Sequence, residues 1–126
     1  MSGSRKLVLR RTLLAAVAGG IFFLSHQPSL KMVPPLFPNQ DKVLHMAEYF
    51  FLYIAIFMNR DIFRGSHPFA LMFAVGTLYA VTDEIHQHFV PGRHCSAADL
   101  LADVLGLAAG FAVCLSYSRK HRRAGS

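Results

Sequence analysis

Charged side chains are scarce in this chain of 126 residues, and tryptophan is absent. Aspartate, glutamate, lysine and arginine make up 16% of the residues, whereas soluble domains carry about 25%. Phenylalanine, in contrast, occurs 11 times, and 53% of the residues are hydrophobic. This balance predicts a membrane protein, and the alternative is an unusually apolar soluble helical domain. The length corresponds to one domain, residues 1–126.

Cysteine is also rare, and the two cysteines, Cys95 and Cys114, fall in a polar loop and in the last apolar segment. Because these positions lie on different levels of a helical fold, we expect no disulfide between them. No Cys-x-x-Cys pair indicates a structural zinc site, and the HExxH and GxSxG patterns of metalloproteases and serine hydrolases are missing. We therefore expect no bound metal and no haem, flavin or nucleotide cofactor.

Basic residues outnumber acidic ones by 13 to 7, and the net charge of +6 raises the question of a nucleic-acid partner. Their placement argues against one, because eight of them stand near the two ends of the chain: Arg5, Lys6, Arg10, Arg11, Arg119, Lys120, Arg122 and Arg123. Basic clusters beside apolar segments are typical of signals for membrane orientation. We expect a lipid bilayer around this protein and no nucleic acid.

Four apolar segments are predicted to form helices, at about residues 7–25, 41–58, 69–88 and 99–117. Each is close to the roughly 20 residues that a helix needs to cross a bilayer. The first two segments cannot form one helix, because proline breaks helices and four prolines separate them: Pro28, Pro34, Pro35 and Pro38. In the fourth segment, Gly106 and Gly110 have a spacing that supports close helix packing.

The first segment contains Arg10 and Arg11 among its apolar residues. It can cross a bilayer if both long side chains reach the membrane surface. A cleavable signal peptide is the alternative, but residues 22–26 lack a cleavage site of small residues. A retained first helix is therefore favoured.

Four membrane-crossing helices would place both ends of the chain on the same side. Ten of the 13 lysines and arginines then share a side with the termini, and three lie opposite: Lys31, Lys42 and Arg93. The positive-inside rule assigns the termini to the cytoplasm. The sequence thus predicts an all-α integral membrane protein, a four-helix transmembrane bundle with both termini cytoplasmic.

The same arrangement gathers polar residues at the extracytoplasmic end. The start of the second helix, the end of the third and the start of the fourth carry every carboxylate except Asp61. Ionisable groups at the ends of apolar segments are costly unless they pair, face water or serve a function. The sequence therefore predicts one outward-facing binding site formed by Asp41, Lys42, His45, Glu48, Tyr49, Asp83, Glu84, Gln87, Arg93, Asp99 and Asp103.

The polar residues also form spaced motifs within about residues 38–112, namely Asp41-Lys42-x-x-His45, Asp83-Glu84-x-x-Gln87, Pro91-Gly92-Arg93 and Asp99. Together these motifs resemble the VanZ-like family of small bacterial membrane proteins. Many members have Asn at the position of Asp103, which here adds a negative charge. The family's namesake is associated with resistance to the glycopeptide antibiotic teicoplanin. The resemblance implies a role in the cell envelope, at the cytoplasmic (inner) membrane, without implying a reaction.

Three hypotheses fit the polar site, and the first two are a binding site and a structural cluster. As a binding site, it would hold a lipid head group, a cell-wall precursor or a glycopeptide-type ligand, with Lys42 and Arg93 contacting anionic groups. As a structural cluster, it would lock the helix ends together through ion pairs, for example between Lys42 and Asp83 or between Arg93 and Asp99.

The third hypothesis is a membrane-embedded hydrolase or transferase that acts on an envelope lipid. His45 with Glu48, or His86 with Glu84, would then act as general acid and base. Carboxylates and histidine together can also bind a divalent cation. The candidate catalytic residues are accordingly His45, Glu48 and Glu84.

Overall fold

The computed structural model describes residues 3–28 and 36–124, and its architecture is helical. Four α-helices follow one another in the chain: α1 (Gly3–Ser25), α2 (Gln40–Met58), α3 (Pro68–His88) and α4 (Ala97–Ala124). A short 3-10 helix spans Arg60–Ile62, and no strand occurs in the two described ranges. The predicted all-α class is confirmed. Lys31, Pro34 and Pro35 lie outside the described residues.

The helix bounds agree with the predicted ones to within two residues, except at the two ends of the chain. α1 begins at Gly3 rather than near residue 7, and α4 continues to Ala124 rather than ending near residue 117. The predicted bounds followed the apolar segments, but lysine and arginine are good helix formers. Helix propensity therefore accounts for the longer start of α1. At the end of α4 the helix dipole contributes as well, because basic side chains are favourable in the last turn of a helix.

Three of the helices, α1, α3 and α4, are long and apolar enough to cross a membrane. α2 has 19 residues, a comparable length, but it carries Asp41, Lys42 and Glu48. Large apolar side chains are exposed on all four helices, among them Val8, Leu9, Phe23, Phe51, Leu78 and Leu101. Such a surface suits contact with lipid, and the chain is a membrane protein.

The helices alternate in direction, so that the ends of α1 and α3 lie beside the starts of α2 and α4. Ser25 of α1 donates a hydrogen bond of 2.7 Å to Asp83 of α3, and Lys42 of α2 pairs with Asp99 of α4. The start of α1, in contrast, contacts the turn that follows α2. Polar residues from the sequence-distant ends of all four helices therefore meet at one end of the molecule.

The core is centred on α2, which packs most closely against α4. Tyr49 and Tyr53 of α2 are fully buried. A Cβ atom on Gly106 of α4 would collide with the carbonyl of Met46, and one on Gly110 would lie 2.8 Å from Cβ of Tyr53. The two glycines thus face α2 and let the backbones approach, as their spacing predicts.

α1 lies at the edge of the assembly and is anchored near its start by arginine. Arg10 donates to the Met58 carbonyl at 3.0 Å, and Arg11 donates to Asn59 Oδ1 and Asp61 Oδ2, both at 2.6 Å. Desolvation favours the neutral form of Asp61, but a backbone hydrogen bond and Arg11 outweigh it and hold the pKa of this carboxyl below its usual range. Both arginines therefore reach a polar turn rather than staying among apolar side chains.

Candidate functional site

Polar side chains from all four helices meet where α1 and α3 end and where α2 and α4 begin. We call this group the polar cluster, and it comprises Ser25, Lys42, His45, Glu48, Tyr49, Asp83, Glu84, Gln87, Arg93, Asp99 and Asp103. Eight of its members are buried: Ser25, His45, Tyr49, Asp83, Glu84, Gln87, Asp99 and Asp103. Buried polar groups normally have hydrogen-bond partners, so the pairing within the polar cluster is informative.

Lys42 links α2 to α4 within the polar cluster. Its ammonium group pairs with Asp99 Oδ1 and lies 2.7 Å from Asp41 Oδ2. The side chain of Asp99 is 13% exposed and that of Asp41 is 63% exposed, so Asp41 stays outside the buried part. The structural hypothesis offered Asp83 as an example of a partner for Lys42, but Asp83 instead accepts a hydrogen bond from Ser25 of α1.

His45 of α2 and Asp103 of α4 form a buried pair. Nδ1 of His45 lies 2.8 Å from Asp103 Oδ1, and its Nε2 lies 4.0 Å from Asp99 Oδ1. A carboxylate that accepts the Nδ1 proton leaves Nε2 as the nitrogen available to another group. Glu48 interacts with His45 electrostatically, but the hydrogen-bond partner of His45 is Asp103.

A chain of hydrogen bonds connects α1, α3 and the loop after α3. Ser25 Oγ donates to Asp83 Oδ2, and the side-chain amide nitrogen of Gln87 lies 3.2 Å from both Ser25 Oγ and Asp83 Oδ2. The guanidinium group of Arg93 donates to Gln87 Oε1 at 2.8 Å. Arg93 thus pairs with Gln87 rather than with Asp99, the example given under the structural hypothesis, and it lies half-buried at the edge of the polar cluster.

Glu84 holds the loop between α3 and α4, because its Oε1 accepts a hydrogen bond from the backbone N–H of Ser96. The exposed thiol of Cys95 lies beside this carboxylate, and partial desolvation and the Glu84 charge raise the pKa of the thiol. One catalytic hypothesis requires His86 to pair with Glu84, and the two side chains do not pair. Nε2 of His86 instead lies 3.2 Å from Nδ1 of His26, at the end of α1.

Several oxygens inside the polar cluster are buried without a hydrogen-bond partner among the described residues. They are Asp83 Oδ1, Glu84 Oε2, Asp103 Oδ2 and the hydroxyl of Tyr49. Tyr49 interacts electrostatically with Asp83 and Asp103, and Asp103 interacts electrostatically with Glu84. Each unpaired buried polar atom costs about 1–3 kcal/mol.

The described residues contain no preformed metal site. Within residues 3–28 and 36–124, no group of three or more His, Cys, Asp or Glu side chains is placed to hold a metal ion. Cys95 and Cys114 are both free thiols, which agrees with the absence of a disulfide expected from their spacing.

Ser25 is the member of the polar cluster that the sequence analysis missed. A lone serine at the end of an apolar segment carries no signal, and its role becomes visible only because α1 ends beside Asp83. His26, which follows Ser25, also contacts α3 through His86. α1 therefore contributes directly to the end of the molecule that carries the polar cluster.

Comparison with known proteins identifies the family of this chain. The family model described as VanZ/LLP1 matches residues 11–118, which include every member of the polar cluster. No curated protein and no solved structure matches the chain. The match extends over most of the 126 residues, in agreement with the resemblance of the spaced motifs. The chain belongs to the VanZ/LLP1 family.

Proposed function

We propose that residues 1–126 form a single four-helix transmembrane domain whose polar cluster binds an envelope component at the outer surface of the bacterial inner membrane. The ligand classes are a lipid head group, a cell-wall precursor and a glycopeptide-type antibiotic. The orientation follows from the excess of lysine and arginine at the opposite end, which the positive-inside rule assigns to the cytoplasm together with both termini.

The unpaired buried oxygens of Asp83, Glu84 and Asp103 carry this proposal. A cluster that served only to join helices would gain most if every buried oxygen had a partner. These oxygens stay unpaired although the polar cluster contains donors, which instead pair with other members: Lys42 with Asp99, Gln87 with Ser25, and Arg93 with Gln87. A ligand that supplies the missing hydrogen bonds accounts for them. The VanZ/LLP1 membership supports an envelope role, because the family's namesake is linked to glycopeptide resistance.

The proposal is tested by binding measurements on the purified full-length protein in detergent. Native mass spectrometry would measure binding of phosphatidylethanolamine, phosphatidylglycerol and teicoplanin to the wild type and to two variants. Asp83→Asn changes the polar cluster, and Asp61→Asn removes a carboxylate at the other end. We expect saturable binding of at least one probe that Asp83→Asn weakens about tenfold and Asp61→Asn leaves unchanged. Binding that responds equally to both variants, or no saturable binding, would refute the proposal.

An enzyme is the second candidate function, and the His45–Asp103 pair is the observation that favours it. The carboxylate orients the imidazole so that Nε2 can exchange a proton with a bound substrate. Incubation of the protein with an inner-membrane lipid extract should then give a hydrolysed or transferred product that His45→Gln abolishes. A binding protein gives no product, and a purely structural cluster shows neither product nor site-dependent binding.

A further inference from the structure

We infer that the group received by the polar cluster is a primary ammonium, and this inference rests on the proposed binding function. It concerns the charge and the hydrogen-bond donors of the ligand, which the binding proposal leaves undefined. The two features that carry it are the excess of negative charge in the polar cluster and the number of its unpaired acceptors.

Among the described residues in and beside the polar cluster, carboxylates outnumber permanent cations. Six carboxylates lie there: Asp41, Glu48, Asp83, Glu84, Asp99 and Asp103. Two permanent cations, Lys42 and Arg93, and the imidazole of His45 face them. The ammonium of Lys42 is already shared between Asp99 and Asp41. A positively charged ligand reduces this imbalance, whereas an anionic group entering the buried part increases it.

The unpaired carboxylate oxygens are acceptors, so a ligand that pairs with them must donate. Asp83 Oδ1, Glu84 Oε2 and Asp103 Oδ2 each lack a donor, and a carboxylate oxygen can only accept when it is ionised. A primary ammonium has three N–H donors and no acceptor, so it can donate to oxygens of this kind. The hydroxyl of Tyr49, which is fully buried and also unpaired, offers one further oxygen to the same group.

An anionic ligand fits less well. A phosphate or carboxylate group would meet carboxylate oxygens where it needs donors. The buried part of the polar cluster therefore selects a cationic donor.

Arg93 can bind an anionic group at the edge of the polar cluster. Its guanidinium group is half-buried and donates to Gln87, and arginine binds phosphate through several N–H donors. A zwitterionic ligand thus fits with its ammonium among the carboxylates and its phosphate at Arg93. The ammonium can belong to a phospholipid with an ethanolamine head group or to the amine of a soluble sugar.

The experiment compares three lipids of identical acyl chains on the full-length protein in detergent, again by native mass spectrometry. Phosphatidylethanolamine has a primary ammonium, phosphatidylcholine has a cation without N–H donors, and phosphatidylglycerol has hydroxyls without a cation. We expect phosphatidylethanolamine to bind about tenfold more tightly than either of the others. A parallel arm uses D-glucosamine and N-acetyl-D-glucosamine as competitors. Displacement by D-glucosamine alone identifies a soluble amine as an equivalent source.

Variants tie the preference to the polar cluster. Asp103→Asn and Glu84→Gln should each remove the preference for phosphatidylethanolamine over phosphatidylcholine, and Asp61→Asn should keep it. Tyr49→Phe removes one unpaired oxygen and keeps the ring, so it should reduce the preference even if a carboxylate variant fails to fold.

The two levels of the proposal fail in different ways. Equal or tighter binding of phosphatidylglycerol or phosphatidylcholine, still weakened by Asp83→Asn, would overturn the ammonium inference and leave the binding function standing. Binding of every probe without any response to Asp83→Asn would overturn the binding function itself.

Discussion

At the scale of single residues, the pairing of each carboxylate oxygen decides what the polar cluster can do. Asp103 uses one oxygen for Nδ1 of His45 and leaves the other without a partner, and Asp83 does the same with Ser25. The paired oxygens stabilise contacts between helices. The unpaired oxygens are available to a ligand, so one side chain can serve both the fold and the site.

The His45–Asp103 pair leads to a prediction about stability. Asp103→Ala leaves Nδ1 of His45 buried without an acceptor, and we expect it to lower the free energy of unfolding by about 1–3 kcal/mol. Asp103→Asn keeps an oxygen that accepts the Nδ1 proton and should lower it less. Thermal unfolding in detergent measures both, with Asp61→Ala as a control at the partly exposed turn. Equal losses in the two alanine variants would contradict a stabilising role of the buried pair.

The Cys95 thiol provides a second prediction, because its reactivity reports on the Glu84 charge. Desolvation and Glu84 raise the pKa of Cys95, and the thiolate is the reactive form. The rate of alkylation by iodoacetamide should therefore be low near neutral pH and rise only above the usual cysteine range. Glu84→Gln should lower the pKa of the thiol and increase the rate at neutral pH.

The alkylation experiment uses a Cys114→Ser background, so that Cys95 is the remaining thiol. Asp61→Asn, at the other end of the molecule, is the matched control and should leave the rate unchanged. An unchanged rate in Glu84→Gln would show that the carboxylate does not act on Cys95.

At the scale of helices, the approach of α4 to α2 brings the polar cluster together. Gly106 and Gly110 face the backbone of α2, and the first turns of the same two helices carry Lys42, His45 and Asp99. A wider separation of the helices would pull these partners apart. Packing of apolar residues in the middle of the molecule therefore controls the pairing at its end.

Gly106 gives the prediction at this scale. A Cβ at this position would collide with the carbonyl of Met46, and backbone cannot move aside as a flexible side chain can. We expect Gly106→Ala to lower the free energy of unfolding by about 1–3 kcal/mol. Gly19→Ala is the control, since a Cβ on Gly19 meets open space and alanine is the better helix former by about 1 kcal/mol. Equal stability of the two variants in detergent would contradict close packing of α4 against α2 at Gly106.

At the scale of the whole molecule, an apolar outer surface separates two polar ends. One end carries the polar cluster, and the other carries the contacts of Arg10 and Arg11 with the turn at residues 58–61. α1 takes part at both ends, through its arginines and through Ser25. The molecule is therefore asymmetric in charge along the helices, with carboxylates at one end and most of the basic residues at the other.

The orientation in the membrane is the prediction at this scale. Cys95 is exposed beside the polar cluster, so a membrane-impermeant maleimide should label it on intact spheroplasts in a Cys114→Ser background. Lys120→Cys in a Cys95→Ser and Cys114→Ser background is the matched control at the basic end, and it should react only after permeabilisation. The reverse pattern of labelling would place the polar cluster in the cytoplasm and would refute an outward-facing site.

Particular residues show how far sequence reasoning reaches. The apolar segments located all four helices, and the Asp41-Lys42-x-x-His45 and Asp83-Glu84-x-x-Gln87 motifs led to the family that the VanZ/LLP1 match confirms. The partner of each polar side chain was harder to predict from the sequence. Lys42 pairs with Asp99 rather than with Asp83, and the contribution of Ser25 was missed. Charge alone does not select among several carboxylates at one end.

The sequence by itself determined that this protein has long apolar helices, that its basic residues stand near the chain ends and that its acidic residues gather at helix ends. These features follow from composition and order along the chain. The tertiary structure decided which buried oxygens have a hydrogen-bond partner and which have none. The physical reason is that successive side chains on a helix point about 100° apart, so their partners depend on how each helix is rotated, and contacts such as Gly106 against Met46 set that rotation.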